Sequence, residues 1–269
     1  MKKWENTGDR LLPAIAGLLL LAGWEAVGIW GWLPPYLLPP PTRVVQALFN
    51  DASLLWTHGL ATMSAAATGF VLAVFFGAIL ALWLDHSPII RRIVYPYLIT
   101  SQTVPIVTLA PLFALWFGFG LLPKVLIVVL VCFFPITISF LEGLASVDNE
   151  LLNLMRSMGA TSWQQYRWVK LPAAMPSFFS GLKISGTYSI MGAVIGEWIG
   201  GRSGLGVYMM RVRQSFATDR VFAVIVVIVF LSLLVLKTIR VMEERAMPWR
   251  KHVVQSDIFL DPNEPPKEA

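Results

Sequence analysis

Six apolar stretches constrain this chain more than anything else in it. They lie at about 11–31, 61–84, 94–117, 122–142, 178–199 and 221–241. Each is roughly 20 residues long, enough for an α-helix to cross the hydrocarbon core of a bilayer. In lipid every backbone N–H and C=O must be satisfied within the segment, which leaves helices as the means of crossing. The expected fold class is therefore an all-α polytopic membrane protein with about six transmembrane helices. Composition agrees: 56% of residues are hydrophobic, 14% are charged and mean hydropathy is +0.66. A soluble domain of this length needs more charge on its surface. Residues 1–250 read as one membrane domain. Residues 251–269 lose the apolar pattern, end in Asp-Pro-Asn-Glu-Pro-Pro-Lys-Glu-Ala, and are expected to be disordered.

Charge orients the helices. Lys2, Lys3 and Arg10 precede the first apolar run, as they would in a signal peptide. No small-x-small cleavage site follows, and the run continues through Trp24 to Trp32, so an uncleaved span is expected. With the N-terminus inside, 15 of the 21 basic residues fall on the inner side. Arg43, Lys124, Arg202, Arg211, Arg213 and Arg220 fall outside. That is the direction of the positive-inside rule. Both termini, and the loop 143–177, are then cytoplasmic. The net charge of +5 follows from this topology, and no nucleic-acid partner is expected.

The loop contains a polar island, Asn153 to Pro172, whose grammar is helix, glycine stop, capped short helix, proline stop. Gly159 stands where a helix C-terminus needs a residue that tolerates positive φ. Thr161 and Ser162 can each cap the next helix, with Gln164 and Gln165 three residues after them. Leu171-Pro172 is expected to end it. Trp163, Tyr166 and Trp168 make this short helix a docking knob.

Gly159, Val169, Leu171 and Pro172 together resemble the cytoplasmic loop of permease subunits of binding-protein-dependent ABC importers. Asn153, Leu154 and Met155 depart from that family's leading Glu-Ala-Ala. The resemblance runs from the Leu33–Pro41 segment to the last apolar span and is nearest to the branch for sulfonates, nitrate and thiamine-precursor pyrimidines. It implies a type I permease fold with a cytoplasmic coupling helix. It also implies a homodimer of permease subunits, two ABC ATPases that carry ATP and Mg, and an extracytoplasmic substrate-binding protein at a prokaryotic inner membrane. The expected ATPase-coupling residues are Gly159, Ala160, Thr161, Ser162, Trp163, Tyr166, Leu171 and Pro172. The run Gly196–Gly206 and the following Tyr208–Phe216 look most like permeases for thiamine-precursor pyrimidines; alkanesulfonates, taurine and nitrate are alternatives.

The residues exclude several chemistries. Gly204-Leu-Gly206 is not part of a Walker-type loop, so no nucleotide or other cofactor is expected on this chain. His58, His86 and His252 lack metal-ligand spacing, and no catalytic residues or metal site are expected. Cys132 lies in an apolar run and reads as a small buried residue. An ion-coupled secondary transporter would call for midplane acids, which are nearly absent.

Polar residues inside the spans mark candidate pathway positions. In the third span these are Ser101, Gln102, Thr103 and Thr108, beside Pro105 and Pro111. Their hydroxyls can instead satisfy carbonyls freed by the prolines. The fifth span has a small-residue stripe, Gly181, Ser185, Ser189, Gly192, Gly196 and Gly200, which either packs tightly or lines the pathway. Tyr188 adds a hydroxyl there. Glu197 either pairs with Arg202 across the turn or serves as a gate or substrate contact. Glu25 reads as interfacial and Glu142 as a cap or ion-pair partner in the loop. Thr42 is expected to cap an amphipathic interfacial helix, and Gly204–Asp219 to form an outer helix facing the binding protein.

Overall fold

The computed structural model describes residues 7–199 and 201–249. The proposed tail, 251–269, lies outside the described residues. Among those described, every regular element is helical: α1 Thr7–Ile29, α2 Pro41–Asn50, α3 Ala52–His86, α4 Pro88–Ser101, α5 Ile106–Phe117, α6 Leu121–Ala145, α7 Asn149–Ser157, α8 Ser162–Gln165, a π-helical turn Tyr166–Lys170, α9 Leu171–Trp198, α10 Leu205–Gln214 and α11 Thr218–Ala246.

Four helices are each long and apolar enough to cross a membrane: Leu12–Ile29 of α1, then α3, α6 and α11. The third expected span is broken. The chain leaves α4 at Ser101 and re-enters a helix at Ile106, and the pair meets the same test only as one broken span. Pro105 causes the break: it has no N–H and pushes Val104 out of the helical region. The fifth expected span lies in α9, which has 28 residues. At 1.5 Å per residue that is about 42 Å. Lys183 and the Ser, Thr and Gly residues are spread along α9, so it has no uninterrupted apolar stretch like those of the other four.

The contacts cluster into two compact units, and the division falls within α3, α6, α9 and α11. One unit holds the described residues up to Phe70, with Pro105–Leu130 and Ser189–Ser232. Its core joins Leu55, Leu205, Tyr208, Val212 and Val224. Val44, Ala47 and Leu48 of α2 pack with Ala223, Trp24 and Phe222, while Val45 and Phe49 remain exposed, so this amphipathic helix buries only part of its apolar face on protein. Thr42 is not its cap. The helix starts at Pro41, and the Glu25 carboxylate of α1 accepts from the Thr42 N–H at 3.0 Å and its hydroxyl at 2.7 Å. Glu25 thereby does the work of a side-chain cap.

The other unit holds Val71–Val104, Val131–Tyr188 and the described residues from Leu233 on. Its core joins Ala81, Leu84, Leu98, Phe140, Leu141, Leu144 and Ala174. The α9 stripe packs on α6 in both units. In the second, a Cβ on Gly181 would stand 2.8 Å from the Pro135 carbonyl. In the first, a Cβ on Gly196 would stand 3.0 Å from Lys124 Cα and 3.2 Å from Ile127. Backbones meet there because the side chains are small. Gly196→Leu is therefore expected to cost about 3 kcal/mol by overpacking. Thermal unfolding of the purified protein checks this; an unchanged midpoint would place that face in open space.

Candidate functional site

In the second unit, the candidate coupling segment is built by three consecutive devices. Asp148 caps α7 through the Glu150 N–H at 2.8 Å. Gly159, at φ +82°, closes the helix. Its N–H donates to the Arg156 carbonyl at 2.9 Å, and the Ala160 N–H to the Met155 carbonyl at 3.0 Å. This is a Schellman closure, which needs a left-handed residue at the glycine. Thr161 then makes a capping box with Gln164: the Thr161 N–H donates to Gln164 Oε1 at 2.7 Å, and the Gln164 N–H to Thr161 Oγ1 at 3.3 Å. Ser162, the other possible cap, is the first residue of the helix. Buried Gln165 ties back to the Ala160 carbonyl at 3.2 Å.

Leu171-Pro172 does not end the short helix. After Gln165 the backbone widens into the π-turn Tyr166–Lys170 and passes directly into α9. The Leu171 N–H donates to the Tyr166 carbonyl. Pro172 thus lies in the first turn of α9 within a continuous helical path, where it has no N–H to give the preceding turn and its ring crowds the carbonyl four residues back, a position the wider π-turn accommodates. The π-turn sets which side chains face in. Tyr166 and Leu171 pack on the core of this unit. Trp163 and Trp168 point away, 65% and 61% exposed. Leu154 and Met158 of α7 are also exposed. Lys170 grips the end of α3 through Asp85 at 2.7 and 2.9 Å and sits 5.6 Å above the Tyr166 ring. Burial, and then the Asp85 carboxylate, raise the Tyr166 phenol above its ordinary pKa.

In the first unit, Glu197 in the last turn of α9 is the centre of a buried polar cluster. It is 1% exposed. Its partners are Thr62 at 2.9 and 3.1 Å, the Gly206 N–H at 2.8 Å and Lys124 at 3.9 Å. Arg202, the partner the sequence suggested, is exposed and takes no part. Thr62 Oγ1 also accepts from the Leu205 N–H at 2.8 Å, and His58 Nδ1 from the Gly204 N–H at 2.9 Å. Lys124 donates to the Ser203 carbonyl at 2.6 Å. Three successive N–H groups at the start of α10 are satisfied by side chains of α3 and α9. A carboxylate there also faces the positive end of the α10 dipole.

The other pathway candidates are scattered. Ser101, Gln102, Thr103 and Thr108 are exposed. Ser101, Thr103 and Thr108 donate to the carbonyls of Leu98, Thr100 and Pro105, so they do satisfy groups around the break. Ser185 is buried and donates to the Cys132 carbonyl at 2.9 Å, a contact between α9 and α6. Ser189 is buried and Tyr188 is 42% exposed. Glu142 is exposed and, with Ser139, Pro176, Ser177 and Ser180, lines an open groove of about 240 Å³. Sequence reasoning missed His58, Thr62, Lys124 and the Lys170–Asp85 pair. The i, i+4 spacing of His58 and Thr62 ahead of an apolar run was the available signal for the first two.

The family model "Binding-protein-dependent transport system inner membrane component" matches residues 73–247, which include the candidate coupling segment and Glu197. The chain belongs to this family of transport permeases. The formylaminopyrimidine transport permease protein ThiX of Halalkalibacterium halodurans is 37% identical over 243 residues, 90% of this chain and 96% of the relative. The riboflavin transport system permease protein RibX of Chloroflexus aurantiacus is 36% identical, over 86% of this chain and 87% of the relative. The taurine transport system permease protein TauC of Escherichia coli is 31% identical, over 93% and 94%. Among solved structures, a chain of the MetNI methionine ABC transporter in an inward-facing conformation superposes with a TM-score of 0.57 at 21% identity. It covers 72% of this chain and 94% of that one. That likeness supports the permease fold of an all-α multi-pass membrane protein. As members of this family, such chains are transport subunits of the inner membrane.

Proposed function

We propose that this chain is the permease subunit of an ATP-driven importer, and that two copies form the path of a small polar solute. Both termini face the cytoplasm. ABC ATPases bind ATP and Mg and dock on the segment 159–172. A substrate-binding protein delivers the solute on the opposite side, near α10 and α2, where Arg211, Arg213 and Phe216 are exposed. The observation that carries this reading is the docking segment. Two exposed tryptophans and the exposed Leu154 and Met158 stand on backbone fixed by a Schellman closure, a capping box and an ion pair. Large exposed apolar residues on rigid backbone suit a protein partner. Force from ATPase closure enters there and biases two conformations of the permease, one open to each side.

The solute we propose is a thiamine-precursor pyrimidine. Its support is the ThiX relative, whose likeness covers nearly the whole length of both chains. Taurine, alkanesulfonates and nitrate are the competing solutes. The test is uptake into proteoliposomes that hold this chain with its ATPase, supplied with binding protein. ATP-dependent uptake of labelled formylaminopyrimidine that excess taurine does not suppress is the expected result. Uptake of taurine in its place would overturn the solute but leave the importer. Uptake independent of ATP would overturn the importer.

A further inference from the structure

The cluster around Glu197 has more structure than helix packing requires. A stripe of small residues is enough to seat α9 on α6. Here four side chains from three helices converge on four successive residues of backbone, Ser203 to Gly206. Glu197, Thr62 and His58 accept from the N–H groups of Gly206, Leu205 and Gly204, while Lys124 donates to the carbonyl of Ser203. The backbone has been shaped to receive them. Gly204 holds φ +131°, and a Cβ there would overlap the Glu197 carboxylate. A Cβ on Gly206 would meet the Val194 carbonyl and stand 3.0 Å from Glu197 Cβ. The cluster is buried: Thr62 and Glu197 are almost fully enclosed, and His58 is 8% exposed with its ring stacked on Tyr208 of α10. Its acceptor role at Nδ1 requires that nitrogen to carry no proton.

We propose that Glu197, Thr62, His58 and Lys124 are a latch that locks the start of α10 to α3, α6 and α9, and that it passes movement of α10 into the spanning helices. Glu197, Thr62 and His58 are positioning residues here, not solute contacts. The proposal rests on the importer reading, in which α10 is where the binding protein docks. Its physical basis is connection. Without the latch, Tyr208 and Val212 still pack α10 on Leu55 and Val224 and Tyr208 still bonds Asp51, but the start of α10 loses its polar ties to α9 and α6, and a push on it is absorbed in the turn at Gly201–Gly204. With the latch, α10 moves only if α9 and α3 move. The same α9 that carries Glu197 in its last turn begins at Leu171, in the docking segment. A two-state element biased from both ends is what coupling requires.

Thr62 gives the sharpest test, because one hydroxyl both donates to Glu197 and accepts from Leu205. T62V keeps the shape and removes both bonds; T62S keeps both bonds and removes a methyl. The first readout is amide hydrogen exchange of the purified chain in nanodiscs. T62V should speed exchange at Leu205 and Gly206 by about tenfold or more, and T62S should restore protection. The second readout is the ratio of binding-protein-stimulated to unstimulated ATP hydrolysis by the assembled complex. A coupling element of ordinary strength predicts a fall of about tenfold in T62V, with recovery in T62S. Unchanged exchange in T62V overturns the latch. Faster exchange with an unchanged ratio overturns its role in coupling and leaves a structural cap. Loss of the ratio in T62S as well as T62V also overturns it, because packing would then be responsible. The exchange measurement needs no partner, so it stands apart from the importer reading, which in this experiment is overturned by a wild-type complex that shows no stimulation at all.

Discussion

Gly159→Pro should reduce coupled uptake to background while the protein still inserts in the membrane. Three effects act together at this residue. Gly159 holds φ +82°, and proline is locked near about −65°. The Gly159 N–H that closes α7 on the Arg156 carbonyl is lost. The changed path also disturbs Ala160, whose N–H completes the closure and whose carbonyl is held by Gln165. A proline forced into a position of this kind costs about 3 kcal/mol or more. That energy is local, because nothing lies within 4 Å of where a Gly159 Cβ would be. The apolar helices are untouched, so insertion should persist, while Trp163 and Trp168 lose their fixed position. Gly159→Ala separates the contributions. It keeps the N–H and meets only the left-handed penalty, about 1–2 kcal/mol, so it should retain partial uptake. Co-purification of the ATPase, measured beside uptake, locates the defect. Normal ATPase association and uptake in the proline variant would remove the docking role from this segment.

That turn was legible in the sequence because its chemistry is local. Gly159, Thr161 and Gln164 act on backbone within five residues, and glycine closures and capping boxes are written in residue types at fixed spacing. The apolar spans were legible for a similar reason: their signal is carried by some twenty neighbours at once. Where the sequence misled, two local rules competed. Leu171-Pro172 reads as a stop, yet a proline is also comfortable in the first turn of a helix. The π-turn at Tyr166–Lys170 decided between them, and nothing in those five residues announces a π-turn. Thr42 read as a cap for the same local reason, and the acceptor came instead from Glu25, 17 residues earlier.

The Glu197 cluster was half legible. A carboxylate near the end of an apolar helix was an obvious anomaly, and Arg202 was the nearest opposite charge in sequence. The true partners, Thr62 and Lys124, lie 135 and 73 positions away, and tertiary packing alone brings them in. The glycines around 201–206 were the overlooked clue. Such a run says that something approaches the backbone closely, and it does not say what.

Gly204→Val should be the most damaging single substitution in the first unit. Gly204 sits at φ +131° and ψ 161°, a region open essentially to glycine alone. A residue with a Cβ meets about 1–3 kcal/mol of backbone strain there. The added side chain must also displace the Glu197 carboxylate, which is buried and held by Thr62 and Gly206. Overpacking adds about 1–3 kcal/mol, and the displaced carboxylate leaves the Gly206 N–H without its acceptor. Together these predict a loss of several kcal/mol, read as a lower unfolding midpoint and poor recovery from the membrane. Gly59→Ala is the control, since Gly59 lies inside α3 with nothing within 4 Å of a Cβ there, and it should not destabilise. A double substitution divides the causes. In Gly204→Ala with Glu197→Ala the overlap is gone and the strain remains. Its loss should therefore be smaller than the sum of the two single losses, the sign of two groups in direct contact. Losses that simply add would mean that the carboxylate does not press on Gly204, and the packing described around Glu197 would be wrong.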